Sequence, residues 1–147
     1  MKVVFVCTGN TCRSPMAEHM LRHRLEEKGD STIQVESAGV SASRGQPAAR
    51  QTLAVLNEAG ISSIHEHQSK PVEDVELAEG DLVLTMSRGH LHRLTDVPDG
   101  VETDTLKDFA GEGGSISDPF GGDLSVYRDL YEELDPLIRT IVKKIAN

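Results

Sequence analysis

The residues best suited to chemistry lie in an eight-residue segment near the start of the chain, residues 7–14, with the sequence CTGNTCRS. The segment begins with a thiol, Cys7, and ends with a guanidinium and a hydroxyl, Arg13 and Ser14. A nearby arginine and a helix N-terminus stabilise the thiolate form of a cysteine, which is a strong nucleophile. The planar fork of Arg13 matches two oxygens of a phosphoryl group, and Ser14 can donate a hydrogen bond to the sulfur. The spacing Cys-x5-Arg-Ser therefore predicts attack by Cys7 on a bound phosphate.

The flanking residues predict a strand before this segment and a helix after it. Residues 2–6 form a short, valine-rich run that is typical of a strand buried on both faces of a parallel sheet. Ser14 and Pro15 are predicted to be the N-cap and the first residue of a helix. Backbone N–H groups at such a junction bind anions, although the Walker spacing is absent. The predicted phosphate-binding residues are Thr8, Gly9, Asn10, Thr11, Cys12, Arg13 and Ser14.

Strands and helices alternate along the rest of the chain. Valine- and leucine-rich runs predict further strands at 33–36, 81–86 and, more weakly, 101–106. Helical spacing predicts helices from Pro47 and from Asp123. This alternation indicates an α/β fold with a parallel sheet, and nothing in the sequence suggests a linker, so we expect a single domain over residues 1–147.

A second reactive group is predicted in residues 107–122, a glycine- and aspartate-rich segment that is predicted to be a long loop. Displacing a leaving group from phosphorus calls for a general acid. Asp118 is the candidate, because the following Pro119 keeps the segment extended and suited to reach over a pocket. The alternative is ordinary turn chemistry, since Asp-Pro is common in turns.

Composition excludes several classes of function. The 147 residues carry a net charge of −9 and only 3% aromatic side chains, which argues against binding nucleic acid or an anionic membrane. Two cysteines, Cys7 and Cys12, exclude a disulfide scaffold and predict a reducing, cytoplasmic setting. No metal site is expected, because His19 and His23, four residues apart, have no evident third ligand.

Residues 4–18, VFVCTGNTCRSPMAE, closely resemble the N-terminal signature of the low-molecular-weight protein tyrosine phosphatase family. The resemblance covers the whole chain, through Ser37-Ala38-Gly39 and Asp118-Pro119-Phe120. It implies a flavodoxin-like, four-stranded parallel sheet flanked by helices and a two-step reaction without a cofactor. Cys7 would form a phosphocysteine, and Asp118 would protonate the leaving group and then activate water.

The same resemblance implies supporting roles for other residues. Asn10, Ser37 and His67 match a polar network that keeps the phosphate-binding segment in shape. Phe120 matches an aromatic residue that lines the entrance, the alternative being a core aromatic. Thiol chemistry, and not the resemblance, predicts a further role for Cys12. It would pair with Cys7 on oxidation and protect the nucleophile, the alternative being an inert small side chain.

Within the family, the chain is most similar to the bacterial protein arginine phosphatase branch. Family members that act on phosphotyrosine generally have Ile or Leu where Thr11 stands, and two aromatics where this chain has only Phe120. A phosphoarginine guanidinium would pair with Asp118, and the Thr11 hydroxyl suits a polar substituent better than a phenol ring. The sequence predicts phosphorylated proteins as partners and phosphoarginine as the substrate, with phosphotyrosine as the alternative and Thr11 as an ordinary loop residue in that case.

Two further interpretations are weaker. A resemblance to thiol-dependent arsenate reductases, which have the same fold and loop, would imply a relay of three cysteines. This chain has no cysteine after Cys12, so the relay cannot be completed. A non-catalytic phosphate-binding module would not need both Cys7 and Asp118.

Overall fold

Four parallel strands form the sheet of the computed structural model, which describes residues 1–146. Their order across the sheet is β2-β1-β3-β4, so the first strand lies in the middle. The predicted α/β class with a four-stranded parallel sheet is confirmed, and the order matches flavodoxin-like folds. Asn147, the last residue of the predicted domain, lies outside the described part. The strands are β1 (Lys2–Cys7), β2 (Gln34–Gly39), β3 (Leu82–Thr85) and β4 (Glu102–Thr105).

Within residues 1–146, five helices and two short 3-10 turns connect and cover the strands. Among the described residues, no helix combines the length and apolarity needed to cross a membrane. The helices are α1 (Arg13–Glu27), α2 (Arg50–Glu58), α3 (Arg88–His92), α4 (Leu106–Phe109) and α5 (Leu124–Ile145), and the 3-10 turns are Ser63–Glu66 and Val72–Asp74.

The structure corrects three helix predictions. Helix α2 begins at Arg50 instead of Pro47. Helix α1 begins at Arg13 with Cys12 at the N-cap, because the Ser14 hydroxyl faces the Cys7 sulfur instead of capping the helix. Helix α4 occupies part of the segment expected to be loop. The Thr105 hydroxyl accepts a hydrogen bond from the Asp108 backbone N–H at 3.1 Å, and this N-cap stabilises its single turn.

The alternation of side chains along β1 divides the core into two parts. Val3 and Phe5 belong to the larger core, which also contains the apolar faces of α1, α2 and α5. Val4 and Val6 belong to a smaller cluster on the opposite face. Cys7 continues the Val3–Phe5 side and ends the central strand. It therefore lies at the carboxyl edge of the sheet, where ligands bind in open α/β folds.

Candidate active site

The phosphate loop, residues 7–14, joins the end of β1 to the start of α1. The Cys7 side chain is buried at its base, with Sγ 2.9 Å from the Ser14 Oγ. Asn10 has a φ of 59°, a left-handed conformation that turns the chain back around the loop. This short bend brings the start of helix α1 next to the sulfur.

Arg13 connects the phosphate loop to the segment that carries Asp118. The Arg13 side chain is buried, and Nη1 donates a hydrogen bond to the Ile116 carbonyl at 3.0 Å. Its Nη2 lies 3.7 Å from the Asp118 Oδ2. The structure thus brings the predicted nucleophile loop and the predicted acid together, although they are more than 100 residues apart.

Asn10 is the centre of a buried polar network. Its Nδ2 donates to the Oγ atoms of Ser14 and Ser37, each at 2.9 Å, and its Oδ1 accepts from the Lys70 backbone N–H at 3.0 Å. The Asn10 carbonyl accepts from His67 Nε2 at 2.8 Å. Asn10, Ser37 and His67 are therefore brought together around the phosphate loop.

Glu18 and His19 extend this network, and sequence reasoning missed Glu18. Ser37 Oγ donates to Glu18 Oε1 at 2.6 Å, and Arg22 forms an ion pair with Oε2 at 2.5 Å. Burial, the Arg22 charge and His67 lower the pKa of His19 to about 3, so the ring is neutral where it bonds the Ser63 hydroxyl at 2.7 Å. The position of Glu18, one helical turn after Ser14, was a usable signal.

Among the described residues, one group of three side chains brings metal-binding atom types within 4.8 Å of one another: Glu18, His19 and His67. Each of these side chains already has hydrogen-bond partners in the protein. The group therefore supports the phosphate loop. His23, which the sequence paired with His19, instead lies 3.8 Å from Glu27 on the surface.

The residues that follow Ile116, whose carbonyl binds Arg13, are mostly exposed to solvent. The Asp118 side chain is 54% exposed, and its Oδ1 accepts from the Phe120 backbone N–H at 3.1 Å. Phe120 is 81% exposed, which excludes the alternative of a core aromatic.

Thr11 and Cys12 lie on the side of the loop that faces α2 and α5. The Thr11 carbonyl accepts from the Ala49 N–H at 2.9 Å, and its side chain is half-buried. Cys12 Sγ is 3.3 Å from the Tyr127 Oη, and both cysteines are free thiols. Burial and the Cys12 hydrogen bond raise the pKa of Tyr127, so its hydroxyl keeps its proton.

His90 is a second residue that sequence reasoning missed at the phosphate loop. Its Nε2 lies 2.8 Å from the Thr8 Oγ1. No local sequence pattern reveals a contact between His90 and a residue 82 positions earlier in the chain.

Comparison with known proteins assigns the family. The model of the low molecular weight phosphotyrosine protein phosphatase family matches residues 2–147. The protein-arginine-phosphatase of Geobacillus stearothermophilus is 40% identical over 149 residues, covering 98% of this chain and 95% of that protein. The chain belongs to the low-molecular-weight phosphatase family and is a phosphatase.

Solved structures agree with this assignment. A low molecular weight protein tyrosine phosphatase from T. tengcongensis superposes with a TM-score of 0.88 at 39% identity, covering 99% of both chains. A mutant of the YwlE arginine phosphatase with a phosphorylated active-site serine superposes with a TM-score of 0.85 at 35% identity, covering 99% of this chain and 95% of that one.

Proposed function

We propose that this phosphatase removes the phosphoryl group from phosphoarginine in proteins through a phosphocysteine intermediate on Cys7. The observation that carries the proposal is the approach of Arg13 to Asp118, 3.7 Å apart, beside the loop that holds the Cys7 sulfur. One site then contains Arg13 to bind the phosphoryl group, Cys7 as the nucleophile and Asp118 as the acid.

In the first step, the Cys7 thiolate attacks phosphorus and the bond from phosphorus to the leaving nitrogen breaks. Arg13 and the backbone N–H groups of the phosphate loop stabilise the charge on the transferring group. Asp118, in its acid form, gives its proton to the leaving nitrogen. The products are a phosphocysteine and an arginine side chain whose released nitrogen carries the proton from Asp118.

In the second step, Asp118 is a carboxylate and takes a proton from water as the water attacks the phosphocysteine. The S–P bond breaks, the Cys7 thiolate returns and inorganic phosphate leaves. Ser14, 2.9 Å from the sulfur, donates a hydrogen bond that stabilises the departing thiolate.

The exposed carboxyl group of Asp118 supports phosphoarginine as the substrate. In its acid form it can protonate the leaving nitrogen, and once it is a carboxylate it can pair with the two parallel N–H groups of the arginine guanidinium that is released. A phenol ring presents no such pair of N–H groups. The Thr11 hydroxyl is a polar group, whereas an aliphatic side chain at this position would suit a phenol ring better. The relative from G. stearothermophilus is named a protein-arginine-phosphatase.

Phosphotyrosine is the second candidate substrate, and one observation favours it. Phe120 leaves 81% of its surface exposed beside Asp118, so its ring is available to pack against a phenol.

The test is kcat/KM on one peptide that carries either phosphoarginine or phosphotyrosine at the same position. We expect the wild type to prefer phosphoarginine strongly, and Thr11→Ile to lose or reverse the preference. Thr32→Ile, at an exposed site before β2, is the matched control and should leave the preference unchanged. A preference for phosphotyrosine that Thr11→Ile does not move would assign the enzyme to the tyrosine phosphatases.

We also propose that Cys12 protects Cys7 from over-oxidation in a reducing, cytoplasmic setting. Forming the disulfide would release the Tyr127 hydroxyl from Cys12, so reduction restores a contact that the folded protein favours. After peroxide treatment, a thiol should restore full activity to the wild type but not to Cys12→Ser. Equal recovery in both would leave Cys12 without this role.

A further inference from the structure

His90 joins the phosphate loop to the end of β3. Only 7% of the residue is exposed. Its Nε2 lies 2.8 Å from the Thr8 Oγ1, and its Nδ1 lies 2.9 Å from the Ser87 Oγ. Both ring nitrogens are thus engaged, one with the phosphate loop and one with the first residue before helix α3.

Ser87 is placed to set the tautomer of the ring. Its Oγ accepts the backbone N–H of His90 at 3.2 Å as the N-cap of α3, and it still has its own hydrogen to donate to Nδ1. In that tautomer the ring carries its hydrogen on Nε2 and donates it to Thr8. Thr8 Oγ1 then keeps its own hydrogen, and because Thr8 is exposed, this hydrogen is accessible to a bound ligand.

The charges around His90 keep the ring neutral. Arg13 faces it from the phosphate loop and Arg93 from the residue after its own helix. Asp118 faces it from residues 116–120, the acid segment. Burial, then Arg13 and Arg93, lower the pKa of His90 to about 4, while Asp118 opposes the shift. A neutral ring has one donor and one acceptor, so it can accept the Ser87 hydrogen at Nδ1 and donate to Thr8 from Nε2.

We propose that His90 is a positioning residue of the phosphatase reaction, which fixes the Thr8 side chain so that its hydroxyl hydrogen is presented to an oxygen of the bound phosphoryl group. Ser87 sets the tautomer, His90 holds the Thr8 oxygen and Thr8 contacts the anion. The proposal rests on the phosphatase activity of the family but is independent of the choice between phosphoarginine and phosphotyrosine.

The test compares His90→Asn, His90→Gln, Thr8→Val and the His90→Asn/Thr8→Val double variant. The Asn amide is too short to reach Thr8, whereas the Gln amide nitrogen extends to about the position of Nε2. Two readouts apply: Ki of inorganic phosphate as a competitive inhibitor, and kcat/KM on p-nitrophenyl phosphate, which needs neither proposed protein substrate. His92→Asn, exposed on the same helix, is the matched control.

We expect His90→Asn and Thr8→Val each to raise the Ki of phosphate and lower kcat/KM about tenfold, the size of one hydrogen bond to a charged group. The double variant should lose little more than either single one, because both remove the same contact. His90→Gln should recover most of the loss and His92→Asn should cause none. Multiplicative losses, or an unchanged Ki, would overturn the proposal. If His90→Asn is unstable, Thr8→Val with His90→Gln gives the same decision.

Discussion

The phosphate loop and the acid segment face each other across the site, yet they are built in opposite ways. In the phosphate loop, Asn10 and Ser14 are fully buried, and each bonds to other polar side chains. In the acid segment, Asp118 is 54% exposed and its nearest cation, Arg13, is 3.7 Å away. A cavity of about 290 Å³ separates this segment from α5.

This contrast indicates a division of labour. A transferring phosphoryl group needs donors that are fixed before it arrives, because rigid dipoles need no reorganisation in the transition state. A proton donor must reach leaving groups of different shape, and its contacts commonly tighten only when substrate binds. The loop of Cys7 is therefore preassembled, and the segment of Asp118 is left adaptable.

The largest effect that bears on the comparison comes from Asp118→Asn. Asparagine keeps the shape of the side chain but cannot transfer a proton, so kcat on the phosphorylated peptide should fall about 10²- to 10⁴-fold. Because the side chain is mostly exposed, Tm should not change. A parallel fall in Tm would show that the acid segment stabilises the fold, which would contradict the contrast between an adaptable acid segment and a preassembled phosphate loop.

Asn10→Ala tests the opposite region. Loss of the amide leaves buried partners unpaired, and alanine at a φ of 59° is strained, so the free energy of unfolding should fall by about 2–4 kcal/mol. Asp96→Ala is the matched control, because Asp96 also has a left-handed φ of 56° but is exposed; it should cost only about 1 kcal/mol. Urea denaturation measures the free energy of unfolding of both variants. Equal losses would show that the cost of Asn10→Ala comes from backbone strain and not from the buried hydrogen bonds.

The smallest effect is the pH dependence of stability due to His19. Its pKa is about 3 in the folded protein and 6.5 in the unfolded chain, so the unfolded state binds more protons between these values. The stabilisation is complete above pH 6.5 and is lost as pH falls, by about 1 kcal/mol between pH 6.5 and 5.5. His19→Gln should flatten this slope, whereas His23→Gln, on the surface of the same helix, should keep it. Equal slopes in wild type and His19→Gln would contradict the assignment.

The sequence was most informative where the functional residues are adjacent along the chain. The run from Cys7 to Ser14 predicts the nucleophile, the guanidinium and the strand–loop–helix junction, because all of these depend on neighbours. The α/β class follows in the same way from the alternation of apolar runs.

Contacts between distant segments could not be predicted in this way. His90 reaches Thr8, and Tyr127 reaches Cys12, only because the sheet and α5 bring those segments together. Ser14 shows the same limit at short range: its type and position predict an N-cap, but the sulfur of Cys7 competes for the hydroxyl and lies 2.9 Å away.

In the proposed mechanism, Cys7 carries the phosphoryl group and Asp118 only transfers protons. The most direct measurement is mass spectrometry of Asp118→Ala, acid-quenched during turnover of p-nitrophenyl phosphate, whose leaving group needs no proton. We expect one phosphoryl group on the peptide that contains Cys7, because the second step lacks its base and the phosphocysteine accumulates. Release of p-nitrophenol with Cys7 unmodified, or a phosphoryl group on another residue, would contradict it.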